Sequence, residues 1–280
     1  MKQSNNELPI WDLSEIYKDI KDPNIKKDLE NIKKKNSLAA ITKKIKFTNN
    51  YLDFKKSLVN REQQNYVSLI AEIKKASPSA GVIVKDFDHV EIANLYSNNG
   101  VTCLSVLTEE RFFLGSLRHI EEIKKKINLP VLAKDFFIDP YQVSYSKSFG
   151  CDCILIILSA LSEKQSDEIY DEALKNKLSV IVEVHDEKEA EYALKYEEAI
   201  VGINNRNLKN LNISLDNSVR IYKKLVSHKG PLISESGIKN KIDAQYIYDK
   251  TGIKSFLIGE SLLASGETEK LIKEIMSINV

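Results

Sequence analysis

The sequence is poor in cysteine, glycine, proline and tryptophan, and it has no long apolar stretch. Its 280 residues include 3 Cys, 10 Gly, 6 Pro and 1 Trp. A small, odd number of cysteines fits no disulfide framework, and reduced core thiols are the simplest interpretation. The longest apolar stretch, residues 153–161, is far shorter than the roughly 20 residues that cross a bilayer. Residues 1–13 lack the basic start and apolar core of a secretion signal, so we predict a cytoplasmic protein.

The chain also lacks an excess of charge of either sign. Its 41 Lys+Arg and 40 Asp+Glu nearly cancel, and hydrophobic residues make up 42% of the chain. This balance is typical of a globular protein with a mixed-sign surface. It argues against a protein that binds nucleic acid or a membrane surface through bulk charge.

Residues 1–60 depart from this balance, with 13 Lys, no Arg and 8 Asp+Glu. Their apolar residues recur at helical spacing, with Pro9 and Pro23 as interruptions: Leu29 and Ile32, then Leu38, Ile41 and Ile45. We interpret the segment as surface helices in preference to an arm that binds nucleic acid. We expect these helices to pack near the mouth of the active site.

After residue 66, a short apolar run, a polar turn and a helical pattern alternate eight times. The runs are rich in Val, Ile or Leu without clean polar alternation, which is typical of strands buried on both faces. They cover residues 67–74, 101–108, 130–136, 151–158, 179–184, 199–204, 232–235 and 255–259.

Helical patterns follow these runs at residues 89–99, 116–127, 140–149, 163–177, 187–196, 215–226, 241–250 and 269–277. Strands that alternate with helices pair in parallel through right-handed crossovers. Eight units suit a closed barrel better than an open doubly wound sheet, and no glycine-rich dinucleotide motif follows the first strand. We therefore predict a (β/α)8 TIM barrel over residues 61–280, preceded by an N-terminal helical extension over residues 1–60.

Polar side chains end five of the predicted strands, at the barrel end where active sites lie. They are Glu72 and Lys74 on the first strand, Lys134 on the third, Glu183 on the fifth, Asn204 and Arg206 on the sixth, and Glu235 and Ser236 on the seventh. Any one of them alone fits a surface salt bridge or a helix cap. Together they predict a polar pocket, because buried charges need partners, and crowded charges shift the pKa values that acid–base catalysis uses.

Small residues follow the last two strands, at Ser236-Gly237 and at Gly259-Glu260-Ser261. Backbone N–H groups there can approach an anion, and the loops after strands seven and eight are the usual phosphate site of this fold. Either glycine alone could mark only a tight turn.

Seven segments in the same order resemble the indole-3-glycerol phosphate synthase family. They are IAEIKKASPS at 70–79, VLTEERFFLGS at 106–116, KDFFIDPYQ at 134–142, VEVH at 182–185, INNRNL at 203–208, SESGI at 234–238 and LIGESL at 257–262. The resemblance covers roughly residues 51–265, whereas residues 1–50 fit the family's N-terminal helix poorly.

This resemblance implies ring closure of 1-(2-carboxyphenylamino)-1-deoxyribulose 5-phosphate to indole-3-glycerol phosphate, with loss of CO2 and water, in tryptophan biosynthesis. Lys134 would be the general acid of ring closure, and Glu183 and Lys74 the base and acid of dehydration. No metal or organic cofactor is implied. We expect a monomer that binds a phosphosugar and neither nucleic acid nor a membrane, with association with other tryptophan-pathway enzymes left open.

The resemblance also implies further site residues. These are Glu72, Asn204 and Ser236 in the catalytic set, Ser77, Phe136, Arg206 and Leu208 around the substrate, and Ser236, Gly237, Gly259 and Glu260 at the phosphate. Glu260 would contribute only its backbone, because its carboxylate would repel a phosphate.

Two other functions compete with this one. Phosphoribosylanthranilate isomerase shares the fold and phosphate site, but it would use an Asp and Cys pair, and no Cys ends the first strand. A catalytically silent barrel that acts as a scaffold is the alternative of a different class. A zinc site is disfavoured, because the four His share no ligand spacing and Cys151 and Cys153 have no second pair.

Overall fold

Eight parallel strands form a closed barrel in the computed structural model, which describes residues 23–47, 51–78, 80–207, 211–264 and 266–280. Each strand pairs with its neighbours in the chain, and the last pairs with the first. In chain order they are β1 Ser68–Ile73, β2 Cys103–Leu107, β3 Val131–Lys134, β4 Cys153–Ile157, β5 Ser179–Val184, β6 Ile200–Asn204, β7 Leu232–Glu235 and β8 Ser255–Ile258. The predicted TIM barrel is confirmed.

Helices surround the barrel and precede it. They are α1 Pro23–Lys35, α2 Leu38–Phe47, α3 Phe54–Gln63, α4 His89–Asn98, α5 Leu117–Lys124, α6 Pro140–Lys147, α7 Glu163–Lys175, α8 Glu187–Ala193, α9 Asp216–Leu225, α10 Lys241–Thr251, α11 Glu260–Ala264 and α12 Thr268–Met276. Asp139, Ser162 and Asp186 cap α6, α7 and α8 by accepting backbone N–H bonds, as residues of this type do. Within the described ranges, no helix is long and apolar enough to cross a membrane.

Side chains that point into the barrel change character along each strand. Ile70, Leu132, Ile181 and Ile233 lie in an aliphatic cluster inside the barrel. Two residues further on, the same strands carry Glu72, Lys134, Glu183 and Glu235. Because side chains alternate with a period of two, each charged residue points the same way as the aliphatic one before it. The barrel therefore has an apolar floor and a charged mouth.

Helices α1 and α2 pack against α6, whose first turn lies at the mouth. Leu29, Ile41 and Tyr141 are buried together there, and Lys33 Nζ lies 2.7 Å from Asp139 Oδ2. These helices bear out the predicted N-terminal helical extension.

Helix α3, which the sequence patterns did not isolate, packs at the other end of the barrel. Phe54 and Leu58 are fully buried in the aliphatic cluster of the barrel floor. The helix runs across residue 60, and the division of the chain into 1–60 and 61–280 stays a prediction.

Two small elements were also missed. A hairpin joins Ala76–Ser77 to Gly81–Val82 in the loop after β1, and α11 follows β8 directly. Strands of two residues and a helix of five are too short to produce a periodic pattern in the sequence.

Asp152 joins three parts of the barrel floor. Its side chain is fully buried, and its carboxylate accepts the backbone N–H groups of Leu52 and Val131 and the ammonium of Lys124, each at 2.8 Å. The segment that leads into α3, the end of α5 and the start of β3 therefore depend on one carboxylate.

We expect Asp152→Ala to lower the free energy of unfolding by about 3–5 kcal/mol, because it leaves the Lys124 ammonium buried without a partner. Urea denaturation measures the change. Glu168→Ala, which removes the exposed Lys164–Glu168 pair at 3.7 Å, is the matched control and should change stability by less than about 1 kcal/mol. Equal losses in the two variants would contradict this role.

Candidate active site

A cavity of about 750 Å³ opens at the C-terminal ends of the barrel strands. Every sequence-predicted site residue that the structure describes lines it: Glu72, Lys74, Ser77, Lys134, Phe136, Glu183, Asn204, Arg206, Ser236, Gly237, Gly259 and Glu260. Leu208 lies outside the described residues. Residues from six strands and their following loops thus meet in one space, as the barrel geometry requires.

Three carboxylates surround the ammonium of Lys134. Its Nζ lies 3.0 Å from Glu235 Oε2, 3.8 Å from Glu183 Oε2 and 3.9 Å from Glu72 Oε2. Lys74 Nζ lies 2.6 Å from Glu72 Oε1, so the second lysine pairs with the carboxylate that precedes it on β1. The two lysines thus lie near different oxygens of Glu72.

Burial and neighbouring charge act against each other on these groups. Burial alone would lower the pKa of Lys134, but Glu235, Glu183 and Glu72 outweigh it and raise that pKa. Burial would raise the pKa of Glu72, but Lys74 and Lys134 outweigh it and lower that pKa. Both groups are therefore charged at neutral pH, and Lys134 holds a proton that it can give to a developing oxyanion.

Glu235 is the member of the cluster that sequence reasoning noted at a strand end but did not assign to the site. Its side chain is 1% exposed, and burial raises its pKa to about 7 despite Lys134, with Glu183 adding to the rise. Oε1 has no hydrogen-bond partner within the described part of the chain. One ammonium cannot neutralise three carboxylates, so Glu235 retains the highest proton affinity among them.

Glu183 is oriented from two sides. Asn204 Nδ2 donates to its Oε1 at 3.1 Å, and His185 Nε2 lies 3.0 Å from the same oxygen. Burial would raise the pKa of Glu183, but the contact with His185 and the charge of Lys134 lower it to about 2. Asn204 Oδ1 in turn accepts the backbone N–H of Arg206 at 2.9 Å, which fixes the amide.

The turns after β7 and β8 bring backbone together at one end of the cavity. Ser236 and Gly237 both have left-handed backbone, with φ of 67° and 81°. A Cβ at Gly259 would overlap the carboxylate of Glu72, so only glycine fits there. Successive N–H groups in such turns form concave anion sites.

Aromatic side chains form another wall of the cavity. The rings of Phe113 and Phe136 have centroids 6.4 Å apart, and both line the space. Asp135, which directly follows Lys134, holds this wall in place. It accepts a hydrogen bond from the Thr108 hydroxyl at 2.5 Å and one from the backbone N–H of Phe136 at 2.8 Å. Burial raises the pKa of Asp135 to about 6.

The position of Phe113 after β2 gave no polar or periodic signal in the sequence. Asp135, in contrast, did give a signal, because it is a carboxylate directly after the strand-end Lys134. It could have been assigned to the site from the sequence. Across the residues that the structure describes, no group of three His, Cys, Asp or Glu side chains could hold a metal ion.

Comparison with solved structures supports the fold. The chain superposes on tryptophan synthase subunit alpha from Legionella pneumophila with a TM-score of 0.59 at 12% identity, over 80% of this chain and 96% of the other. It superposes on thiamine phosphate pyrophosphorylase from Pyrococcus furiosus with a TM-score of 0.55 at 15% identity, over 75% and 93%. At such identities the likeness is one of fold alone.

Sequence comparison reaches further. The chain is 44% identical over 211 residues to the indole-3-glycerol phosphate synthase of Acinetobacter baylyi, covering 75% of this chain and 78% of the relative. It is 40% identical over 240 residues to the enzyme of that name from Alkaliphilus metalliredigens, covering 86% and 90%. The family model described as indole-3-glycerol phosphate synthase matches residues 17–275, which extends the similarity into the N-terminal segment where the motifs had stopped. The chain therefore belongs to the indole-3-glycerol phosphate synthase family, whose members are decarboxylating lyases of tryptophan biosynthesis.

Proposed function

We propose that this protein closes the ring of 1-(2-carboxyphenylamino)-1-deoxyribulose 5-phosphate and releases indole-3-glycerol phosphate, CO2 and water. The observation that carries the proposal is the arrangement of two lysines, Lys74 and Lys134, with Glu72, Glu183 and Glu235 at one mouth. The reaction includes two successive proton donations, and the site offers an ammonium group for each, Lys134 at the end of β3 and Lys74 just after β1.

The walls of the cavity fit the three parts of this substrate. Backbone at Ser236-Gly237 and Gly259-Glu260 can receive the phosphate, and Phe113 and Phe136 can pack against the aromatic ring. Among the described residues, Arg206 is the arginine that lines the cavity, and its guanidinium can bind the carboxylate on the aromatic ring.

Lys134 serves the first half of the reaction. The ring carbon that carries the carboxylate attacks the ketone carbon, and the ketone oxygen takes a proton from Lys134 Nζ to become a hydroxyl. The carboxylate then leaves as CO2, and the electrons of the broken bond restore the aromatic ring. The lysine stabilises the oxyanion as it forms, which is where an electrostatic donor acts best.

Lys74 and Glu183 serve the second half. Lys74 gives a proton to the hydroxyl, which leaves as water, while Glu183 takes the proton of the ring nitrogen. A proton then moves from the ring carbon beside the nitrogen, and the nitrogen is protonated again to give the indole. Glu72, 2.6 Å from Lys74, keeps that ammonium in place, and Asn204 orients Glu183.

We expect Lys134→Ala to lower turnover by at least about a hundredfold, because both a charge and a proton are lost at the forming oxyanion. Lys134→Arg should not rescue it, because a guanidinium keeps its proton and is broader. Indole fluorescence measures product. Lys195→Ala, which alters only an exposed lysine, is the control and should keep wild-type turnover. Wild-type turnover by Lys134→Ala would refute the role of Lys134, whereas a wild type that binds the substrate and forms no indole would favour the silent-barrel alternative.

We expect Glu183→Gln to separate the two halves of the reaction. The amide keeps the shape of the side chain but cannot take a proton, so CO2 release should continue for one turnover while indole formation falls by about a hundredfold. Rapid-quench analysis with substrate labelled in the carboxylate measures both events. Parallel loss of CO2 release and indole would show that Glu183 acts before decarboxylation.

We expect phosphate to bind between Ser236-Gly237 and Gly259-Glu260 in crystals grown with it. Ser236→Ala should weaken substrate binding by about 1 kcal/mol, because backbone N–H groups remain as donors. Gly259→Ala should weaken it more, since the added Cβ would displace Glu72. KM and electron density are the measurements, and phosphate density only at the barrel floor would refute the assignment.

A further inference from the structure

His185 lies behind the charged mouth, two residues after Glu183 and just beyond the end of β5. Its side chain is 10% exposed, and its two ring nitrogens face two different carboxylates. Nε2 lies 3.0 Å from Glu183 Oε1, and Nδ1 lies 3.2 Å from Glu189 Oε2 on α8. The proposed mechanism uses neither His185 nor Glu189.

The surroundings of the ring require a proton on both nitrogens. An ionised carboxylate only accepts hydrogen bonds, so a nitrogen that faces one must carry a proton. Glu189 Oε2 also accepts the backbone N–H of His185 at 2.8 Å, so this oxygen is an acceptor toward the His185 residue. The Ser159 hydroxyl, 3.4 Å from Nδ1, can donate or accept and does not alter this requirement.

Burial would lower the pKa of His185, but the two glutamates outweigh it and raise that pKa to about 10. The Nε2 contact has the distance of an ion pair without the alignment of a hydrogen bond, and Nε2 has no hydrogen-bond partner among the described residues. The ring therefore acts on Glu183 mainly through its charge.

Charge pairing at the mouth makes His185 the nearest cation to Glu183. Lys74 Nζ pairs with Glu72 Oε1 at 2.6 Å, and the carboxylate oxygen nearest to Lys134 Nζ is Glu235 Oε2, at 3.0 Å. Lys134 is 3.8 Å from Glu183, compared with 3.0 Å for the imidazole.

We propose that His185 is a positioning residue for Glu183: its imidazolium, anchored by Glu189, holds Glu183 Oε1 and leaves Oε2 facing Lys134 and the cavity. The inference rests on the proposed function of Glu183 as a base. According to this inference, a residue outside the cavity controls the protonation of Glu183. Without the imidazolium, Glu183 would keep its contact with the Asn204 amide but would be protonated at higher pH.

The test compares the pH dependence of kcat for His185→Leu, His185→Asn and wild type, as the ratio of variant to wild-type rate between pH 8 and pH 4. The loss of a cation beside a carboxylate raises its pKa by about one to three units, from about 2 for Glu183 in the wild type. At pH 4 the His185→Leu ratio should therefore fall by about twofold for a rise of two units and by about tenfold for a rise of three. KM should stay within about threefold, since the ring does not line the cavity. At pH 8, His185→Asn should be closer to wild type than His185→Leu, because its amide takes the place of Nδ1 and can still donate to Glu189 Oε2, but its ratio should fall toward pH 4 in the same way.

His228→Asn is the matched control, since that ring bonds the Ala199 carbonyl away from the mouth, and its ratio should not change with pH. A merely structural role would give a His185→Leu ratio that is independent of pH, which would overturn the inference while leaving the proposed function intact. A wild type that forms no indole would overturn the proposed function instead.

Nitrogen-15 NMR of the histidine-labelled protein tests the charge directly, whether or not product forms. At pH 8 both nitrogens of His185, assigned by their absence in His185→Asn, should have imidazolium shifts. His119 is the internal neutral standard, because burial lowers its pKa to about 4. A neutral His185 ring at pH 8 would refute the proposal.

Discussion

The confinement of Glu72, Glu183 and Glu235 around the single ammonium of Lys134 is the constraint on which the site depends, because buried like charges repel and lose hydration. Two further cations, which lie just after β1 and β5, reduce this repulsion. Lys74 neutralises Glu72, and His185 lies against Glu183. Glu235 is left with the weakest compensation and with a pKa of about 7. The three glutamates thus have different proton affinities, because each one is paired with a different set of cations.

The absence of a side chain at two glycines makes this crowding sterically feasible. A Cβ at Gly202 would overlap Glu235 Oε1, and one at Gly259 would overlap Glu72 Oε1. Two of the three carboxylates therefore occupy space that only glycine on a neighbouring strand leaves open. Gly259 also begins the turn proposed for phosphate, so the same glycine serves the charged cluster and the anion site. Changes at this position would disturb both together.

The sequence predicted the parts of the fold that have a period. Strands and helices of the barrel repeat often enough to be recognised, and the strand-end positions of Lys134 and Glu183 predicted a polar pocket, whereas their catalytic roles came from the family resemblance. Glu235 has the same signal, since it stands two residues after the inward-facing Ile233, as Glu183 stands after Ile181. The floor helix with Phe54 could not be assigned, because its contacts depend on closure of the whole barrel. The contacts of Lys134 with Glu235, Glu183 and Glu72 also required coordinates, since spacing along the chain says nothing of distances between strands.

Stability and chemistry are separated along the barrel axis. At the floor, Phe54 and Leu58 fill the aliphatic interior and Asp152 has three donors, so that end buries apolar surface and satisfies its buried carboxylate. At the mouth, Glu235 Oε1 has no hydrogen-bond partner among the described residues and Ser236 has a left-handed backbone, both of which cost free energy. Strain of this kind persists only where the surrounding structure imposes it. The apolar packing of the floor offsets this cost, so the mouth can keep its charges close enough together to shift one another's proton affinities.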